Sequence, residues 1–112
     1  MTVAPLPDSL LEEDFKETVI DTAIMHGWLV HHSRPAKTKR GWRTPIEGNP
    51  GLPDLILARD GVVIFAELKK HRAYPTPDQR NWLASIGAQA RVWRPADWPA
   101  IVAELSEPRR SA

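Results

Sequence analysis

Residues Pro53 to Lys69 read PDLILARDGVVIFAELK, and the fold turns on how that stretch is divided. Asp60-Gly61 separates two apolar runs, Asp54 to Ala58 and Val62 to Lys69. Such a pair between apolar runs is a strong hairpin signal, because a tight two-residue turn needs positive φ at both central positions. With Asp60-Gly61 at the tip, Arg59 pairs with Val62, Ala58 with Val63, Leu57 with Ile64, Ile56 with Phe65 and Leu55 with Ala66. Asp54 then falls opposite Glu67. Directly opposed residues share a face with Cβ atoms ~5 Å apart. Lys69, two residues beyond Glu67, shares that face as well. Both runs are apolar at nearly every position, so the hairpin is expected to be covered on both faces.

Outward from the hairpin, Ser9 reads as a helix N-cap followed by a stripe of Leu11, Phe15, Val19 and Ala23, with Gly27 as the C-terminal cap. Trp28 to His32 reads as a short strand, and residues 33–53 as a long basic loop. Thr76-Pro77-Asp78-Gln79 combines an N-cap, a helical proline and a capping-box residue. That second helix runs to Gly87. A fourth strand spans Ala90 to Arg94, and a last helix runs from near Asp97 to near Leu105. A helical crossover makes the fourth strand parallel to its neighbour. The expected fold is α/β, a small mixed four-stranded sheet flanked by helices in the order αβββαβα. The chain should form one domain with flexible tails at 1–8 and 107–112.

The 112 residues include no cysteine, which excludes disulfides and thiolate metal sites and fits a reducing compartment. No apolar run approaches the ~20 residues needed to span a bilayer, and the first residues lack the pattern of a signal peptide. A cytoplasmic protein with no membrane partner is expected. The net charge of +1 says nothing about partners, but its distribution does. Asp8, Glu12, Glu13, Asp14, Glu17 and Asp21 face a single Lys16 in the first helical region. Arg34, Lys37, Lys39, Arg40 and Arg43 stand together with no acid among them. Those cations could grip phosphates, with Trp42 available to stack on a base; a solvated surface loop is the plainer alternative. His31 and His32 are adjacent on a strand, so at most one could face a site, and packing or surface roles suit both. Trp28, Trp82, Trp93 and Trp98 read as core. The chain has no glycine-rich phosphate loop, no Ser/His/Asp constellation, no zinc spacing and no sign of a small-molecule cofactor.

Two carboxylates ~5 Å apart repel by roughly 3 kcal/mol at an effective dielectric of 20. A hard divalent cation turns that repulsion into binding, so Asp54 and Glu67 are candidate metal ligands. The main-chain carbonyl of Leu68 could add another hard oxygen. A metal held there would polarise a phosphodiester and acidify a bound water, and Lys69 could position that water or stabilise developing charge. The plainer reading makes Asp54 a strand-start residue and Glu67–Lys69 a local ion pair.

Pro53-Asp54 followed by Glu67-Leu68-Lys69 resembles the PD-(D/E)XK nuclease signature. Gly51-Leu52-Pro53-Asp54-Leu55, Phe65-Ala66-Glu67-Leu68-Lys69, Gln79 with Trp82-Leu83, and Val92-Trp93-Arg94-Pro95 with Asp97-Trp98 look like its VRR-NUC branch. The likeness spans roughly residues 12 to 105. It implies a restriction-endonuclease-like fold and hydrolysis of DNA with Mg²⁺ or Mn²⁺. It also implies Asp54 and Glu67 as metal ligands, Lys69 as the catalytic lysine, Glu12 as a helix-borne acid completing the metal site, and Gln79 as a catalytic-pocket residue. Stand-alone members are typically phage or bacterial proteins, and some resemble dimeric junction resolvases, so branched DNA and a homodimer are expectations too. Residues Lys37 to Asn49 are longer than in common members. Glu12 could instead close a capping box with Ser9, although it falls within about 20° of Val19 on a helical wheel, and Glu13 replaces it if the helix is rotated. Gln79 could simply cap its own helix. A non-catalytic DNA-binding or scaffolding subunit of the same fold is the alternative from another class.

Overall fold

The structure is a computed structural model and describes residues 2–32, 36–38, 41–43 and 48–108, with backbone alone at 36–38 and 41–43. Three helices, α1 (Glu12–Met25), α2 (Pro77–Ile86) and α3 (Trp98–Leu105), accompany strands β1 (Leu29–His32), β2 (Ala36–Thr38), β3 (Gly41–Arg43), β4 (Leu55–Arg59), β5 (Val62–Leu68) and β6 (Ala90–Trp93). A four-stranded mixed sheet has the order β1-β4-β5-β6, antiparallel except for the parallel β5–β6 pair. The four-stranded mixed sheet, its parallel pair and the α/β class are as expected, but the element order gains two strands, β2 and β3.

The hairpin forms in the expected register, from Leu55 opposite Ala66 to Arg59 opposite Val62. Asp60 at φ 50° and Gly61 at φ 83° make the turn that this register requires. Alternation then sorts side chains onto two faces. On one, Leu55, Leu57, Ile64, Ala66 and Leu68 are buried with Phe15, Val19 and Ala23 of α1, Ile101 and Leu105 of α3, and Trp28 and Trp93. On the other, Ile56, Ala58 and Phe65 are half-buried and Leu29 and Val63 are exposed. The expectation that both faces are covered fails there. Runs of apolar residues suit a strand buried on either side, and periodicity cannot tell which neighbours the chain supplies.

Arg59 closes the edge of the core. Its guanidinium lies 4.7 Å from the centroid of the Trp28 ring and donates to His26 O, Leu105 O and Glu107 O. Trp28 Nε1 donates to the same Leu105 carbonyl at 2.9 Å. Last-turn carbonyls of α1 and α3, which lack helical partners, are thereby satisfied together.

Four local readings need correction. Leu11, not Ser9, caps α1, and no side chain bonds there. Pro7 O accepts from Leu10 N, so Ser9 lies inside a separate turn. Leu11 leaves the buried stripe and is 62% exposed, while Leu6 and Leu10 pack on the core instead. The first residues are therefore not all a free tail: Leu6 N donates to Pro95 O at 3.0 Å and Asp8 meets His71 at 3.3 Å. Within 33–53, β2 and β3 pair as a two-stranded ribbon, Ala36 opposite Arg43 and Thr38 opposite Gly41. Strands of three residues leave too short a run for alternation to be visible in sequence. Among the described residues, no helix is long and apolar enough to cross a membrane.

Candidate active site

The hairpin register, continued one step past Leu55, sets Asp54 against Glu67 at the end of the sheet remote from the turn. Asp54 is exposed, and its Oδ2 accepts a hydrogen bond from Leu68 N at 2.8 Å. Glu67 is 1% exposed, the one buried charged residue of the described chain. Neither Glu67 oxygen has a donor partner. The hydrogen bond open to it is a proton shared with Asp54. Burial above all, then that shared proton and the negative charge of Asp54, push the Glu67 carboxyl up to about 8, against the pull of Lys69. Lys69 is half-buried just past β5, its amide bound to Trp93 O at 3.0 Å. Asp54 thus stands beside Glu67, the charge of Lys69 acts on Glu67 from two residues on, and Leu68 lies between Glu67 and Lys69 with its side chain in the core.

A buried carboxylate without donors is costly. It is relieved by a proton or by a cation, and a hard divalent ion is the cation that carboxylate oxygens suit best. The orphaned oxygens of Glu67, beside an accessible second carboxylate, fit such an ion.

Asp54 is held from behind. Trp82 of α2 donates through Nε1 to Pro50 O at 3.0 Å and Asn49 O at 3.3 Å. Gly51, at φ 102°, lies so close to α2 that a Cβ there would stand 2.6 Å from the Asp78 carbonyl carbon. Pro53 is buried. The segment before Asp54 is therefore pinned to α2, and Trp82 serves as a tether rather than as core. Its partners lie more than thirty residues away in sequence, so no local pattern announces it.

Other expected residues fare differently. Gln79 makes both halves of a capping box: its Oε1 accepts from Thr76 N at 2.8 Å, and its amide donates to Thr76 Oγ1 at 3.2 Å. Its side-chain oxygen is engaged there, as the simpler reading held. Glu12 is exposed in the first turn of α1, and Glu13 pairs with Lys16 at 3.1 Å. Among the described residues, no three His, Cys, Asp or Glu side chains gather as an ion site. Ser9 does not cap α1, so Glu12 is not a capping-box acid. Lys37 and Arg43 fall on the β2–β3 ribbon, where the backbone alone is described. Arg34, Lys39 and Arg40 lie outside the described residues. His31 is exposed on the half-open face, and His32, opposite Leu55, has a buried Nδ1 without a partner.

Sequence reasoning passed over the run after the triad. Lys70 and Arg72, on either side of His71, continue the positive charge of Lys69, and a count of adjacent bases would have marked them. A shallow cleft of about 270 Å³ lined by Gly27, Leu29, Arg59 and Val63 sits at the turn end of the hairpin, away from the acids. Compared with protein-family models, curated proteins and solved structures, the chain matches none.

Proposed function

We propose that the chain is a divalent-metal-dependent deoxyribonuclease with Asp54, Glu67 and Lys69 at its centre. The observation that carries this reading is the buried Glu67 carboxylate, left without donors and aligned with a second carboxylate by a tight turn. Structural ion pairs bring a cation against each acid; here two acids stand together, and only the charge of Lys69 acts on Glu67. The motif resemblance to the VRR-NUC branch supports the same reading, and with it a restriction-endonuclease-like arrangement of the sheet.

In this proposal Asp54 and Glu67 hold Mg²⁺ or Mn²⁺, with the Leu68 carbonyl as a further oxygen. The bound ion supplies Lewis acidity toward a phosphodiester oxygen and lowers the pKa of water. Lys69 places positive charge where the phosphorane becomes anionic, and its ammonium orients the attacking water. Asp54, by accepting the Leu68 amide, fixes the peptide between the two key side chains. Glu12, exposed in the first turn of α1, and Gln79, occupied as a cap, are given no part in the chemistry.

The decisive experiment incubates the pure protein with linear, flapped and four-way DNA, with Mn²⁺ or with chelator. Metal-dependent cleavage is expected, lost in Asp54→Asn, Glu67→Gln and Lys69→Ala while the fold persists. Wild-type rates in either carboxylate variant would remove the assignment. Binding without cleavage under every metal condition would favour a non-catalytic DNA-binding subunit.

A further inference from the structure

The turn that carries the chain away from the acid pair is built against the preference of its sequence. Ala73 N donates to Lys70 O at 3.1 Å, closing Lys70-His71-Arg72-Ala73 into a β-turn. Arg72 occupies the third position at φ 63°. A turn with positive φ there asks for glycine or asparagine, because a Cβ crowds the backbone in the left-handed region. The chain uses glycine for such positions at Gly51 and Gly61. At 72 it keeps an exposed arginine instead. Non-glycine residues held in this region concentrate where function requires the side chain.

The neighbours supply a reason. Lys70 and Arg72 are both exposed, and among the described residues neither has an acidic partner; His71 between them meets Asp8 at 3.3 Å. Arg94 Nη2 donates to Ala73 O at 2.7 Å, which fastens the end of the turn to the end of β6. The same guanidinium lies 6.0 Å from the centroid of the Tyr74 ring, and Tyr74 is 79% exposed. Two unpaired cations and a cation-backed exposed aromatic therefore follow Lys69 within five residues. Cations that track a backbone beside an aromatic that stacks bases are the two parts of a single-strand site. In a duplex the base faces are covered, and an isolated tyrosine has nothing to stack on.

We propose that the Lys70–Tyr74 turn binds the nucleic-acid strand entering the acid pair, Lys70 and Arg72 holding phosphates and Tyr74 stacking on an unpaired base. The substrate is accordingly single-stranded at this point. The inference rests on the nuclease reading for the identity of its ligand, but binding can be measured without cleavage.

The test is fluorescence anisotropy in chelator with a labelled single-stranded oligonucleotide and with the same sequence as a blunt duplex. The proteins are wild type, Lys70→Ala, Arg72→Gly, Tyr74→Ala and, as a control on α1, Lys16→Ala. Tighter binding of the single strand is expected. Tyr74→Ala should weaken it roughly tenfold, with the duplex unaffected. Lys70→Ala and Arg72→Gly should each reduce the slope of log affinity against log salt by about 0.7, the value for one single-strand phosphate contact. Arg72→Gly relieves the turn, so it should melt no lower than wild type and cannot lose binding by unfolding. Wild-type affinity and slope in Arg72→Gly and Tyr74→Ala would overturn the site, as would an equal loss in Lys16→Ala. A preference for duplex would overturn the single-strand assignment. Cleavage that survives with binding unchanged in these variants leaves the nuclease reading standing without this site. Turn-dependent binding by a protein that never cleaves leaves the site standing without the nuclease.

Discussion

The two faces of one hairpin divide the protein's tasks. Leu55, Leu57, Ile64, Ala66 and Leu68 look into a core shared with α1 and α3 and are 2% exposed or less. One residue along from each, the chain turns to a face that carries Asp54, Glu67 and Lys69 and leaves Ile56 and Phe65 half-buried. The first face is apolar and fully packed. The second tolerates a carboxylate with no donor. Burial on the one side offsets the electrostatic cost on the other, while alternation gives each face its own set of side chains.

Substitutions on opposite faces should therefore move stability and activity independently. The widest separation is expected for Leu57→Ala, which removes a fully buried side chain and should cost about 3 kcal/mol or more of stability. Chemical denaturation measures that loss, and turnover per folded molecule should stay near wild type. An activity loss beyond the folded fraction would mean that the faces are coupled.

The acid face should behave in the opposite sense. Glu67 titrates near 8 when folded and in the ordinary carboxylate range when unfolded. The folded state thus holds the proton more tightly, so its contribution to stability is intact at low pH and declines as pH rises toward 8. Without metal, wild-type protein should melt lower at pH 8 than at pH 5. Glu67→Gln should remove most of that dependence and melt higher than wild type at pH 8, although it no longer cleaves. A pH-independent wild type would show that the pair is not strained.

Metal sharpens the contrast further. At ten times its dissociation constant, an ion bound only by the folded form adds RT ln 11, roughly 1.4 kcal/mol. For a domain of this size that raises the melting temperature by about 5 °C. Asp54→Asn should respond much less to Mn²⁺ than wild type does. Equal responses would mean that Asp54 is no ligand.

The smallest effect concerns the support behind the site. Trp82→Phe keeps an aromatic six-membered ring but loses the N–H that holds Pro50 and Asn49, at a cost of about 1 kcal/mol for the hydrogen bond. If the tether positions Asp54, the metal titration should shift to higher concentration by more than the change in melting temperature implies. An unchanged metal midpoint would reduce Trp82 to packing.

Much of this arrangement was legible because one local rule governs it. Asp60-Gly61 fixes the turn, the turn fixes the register, and the register brings Asp54 to Glu67. Thr76 and Gln79 were legible for the same reason, since their partners are three residues apart. What escaped depends on distant or side-specific contacts. Ser9 has the chemistry of a cap, but a turn from Pro7 to Leu10 claims that segment first. The wheel angle of Glu12 placed it near the stripe, yet the first turn of a helix can be exposed on every side. Trp82 and Gly51 show their roles through contacts across the chain, and Arg72 carries no glycine to mark its left-handed backbone.

The acids belong to the most local long element of the fold. A hairpin closed by two residues forms in about 1–10 μs in favourable cases, and local pairings tend to precede distant ones. Closing it early should bring Asp54 and Glu67 together before α3 has supplied its share of the core. The electrostatics of the site are then felt during folding as well as after it. A proton or a divalent ion that quiets the pair should speed the climb to the native state, so the conditions that equip the site also set the pace at which it is made.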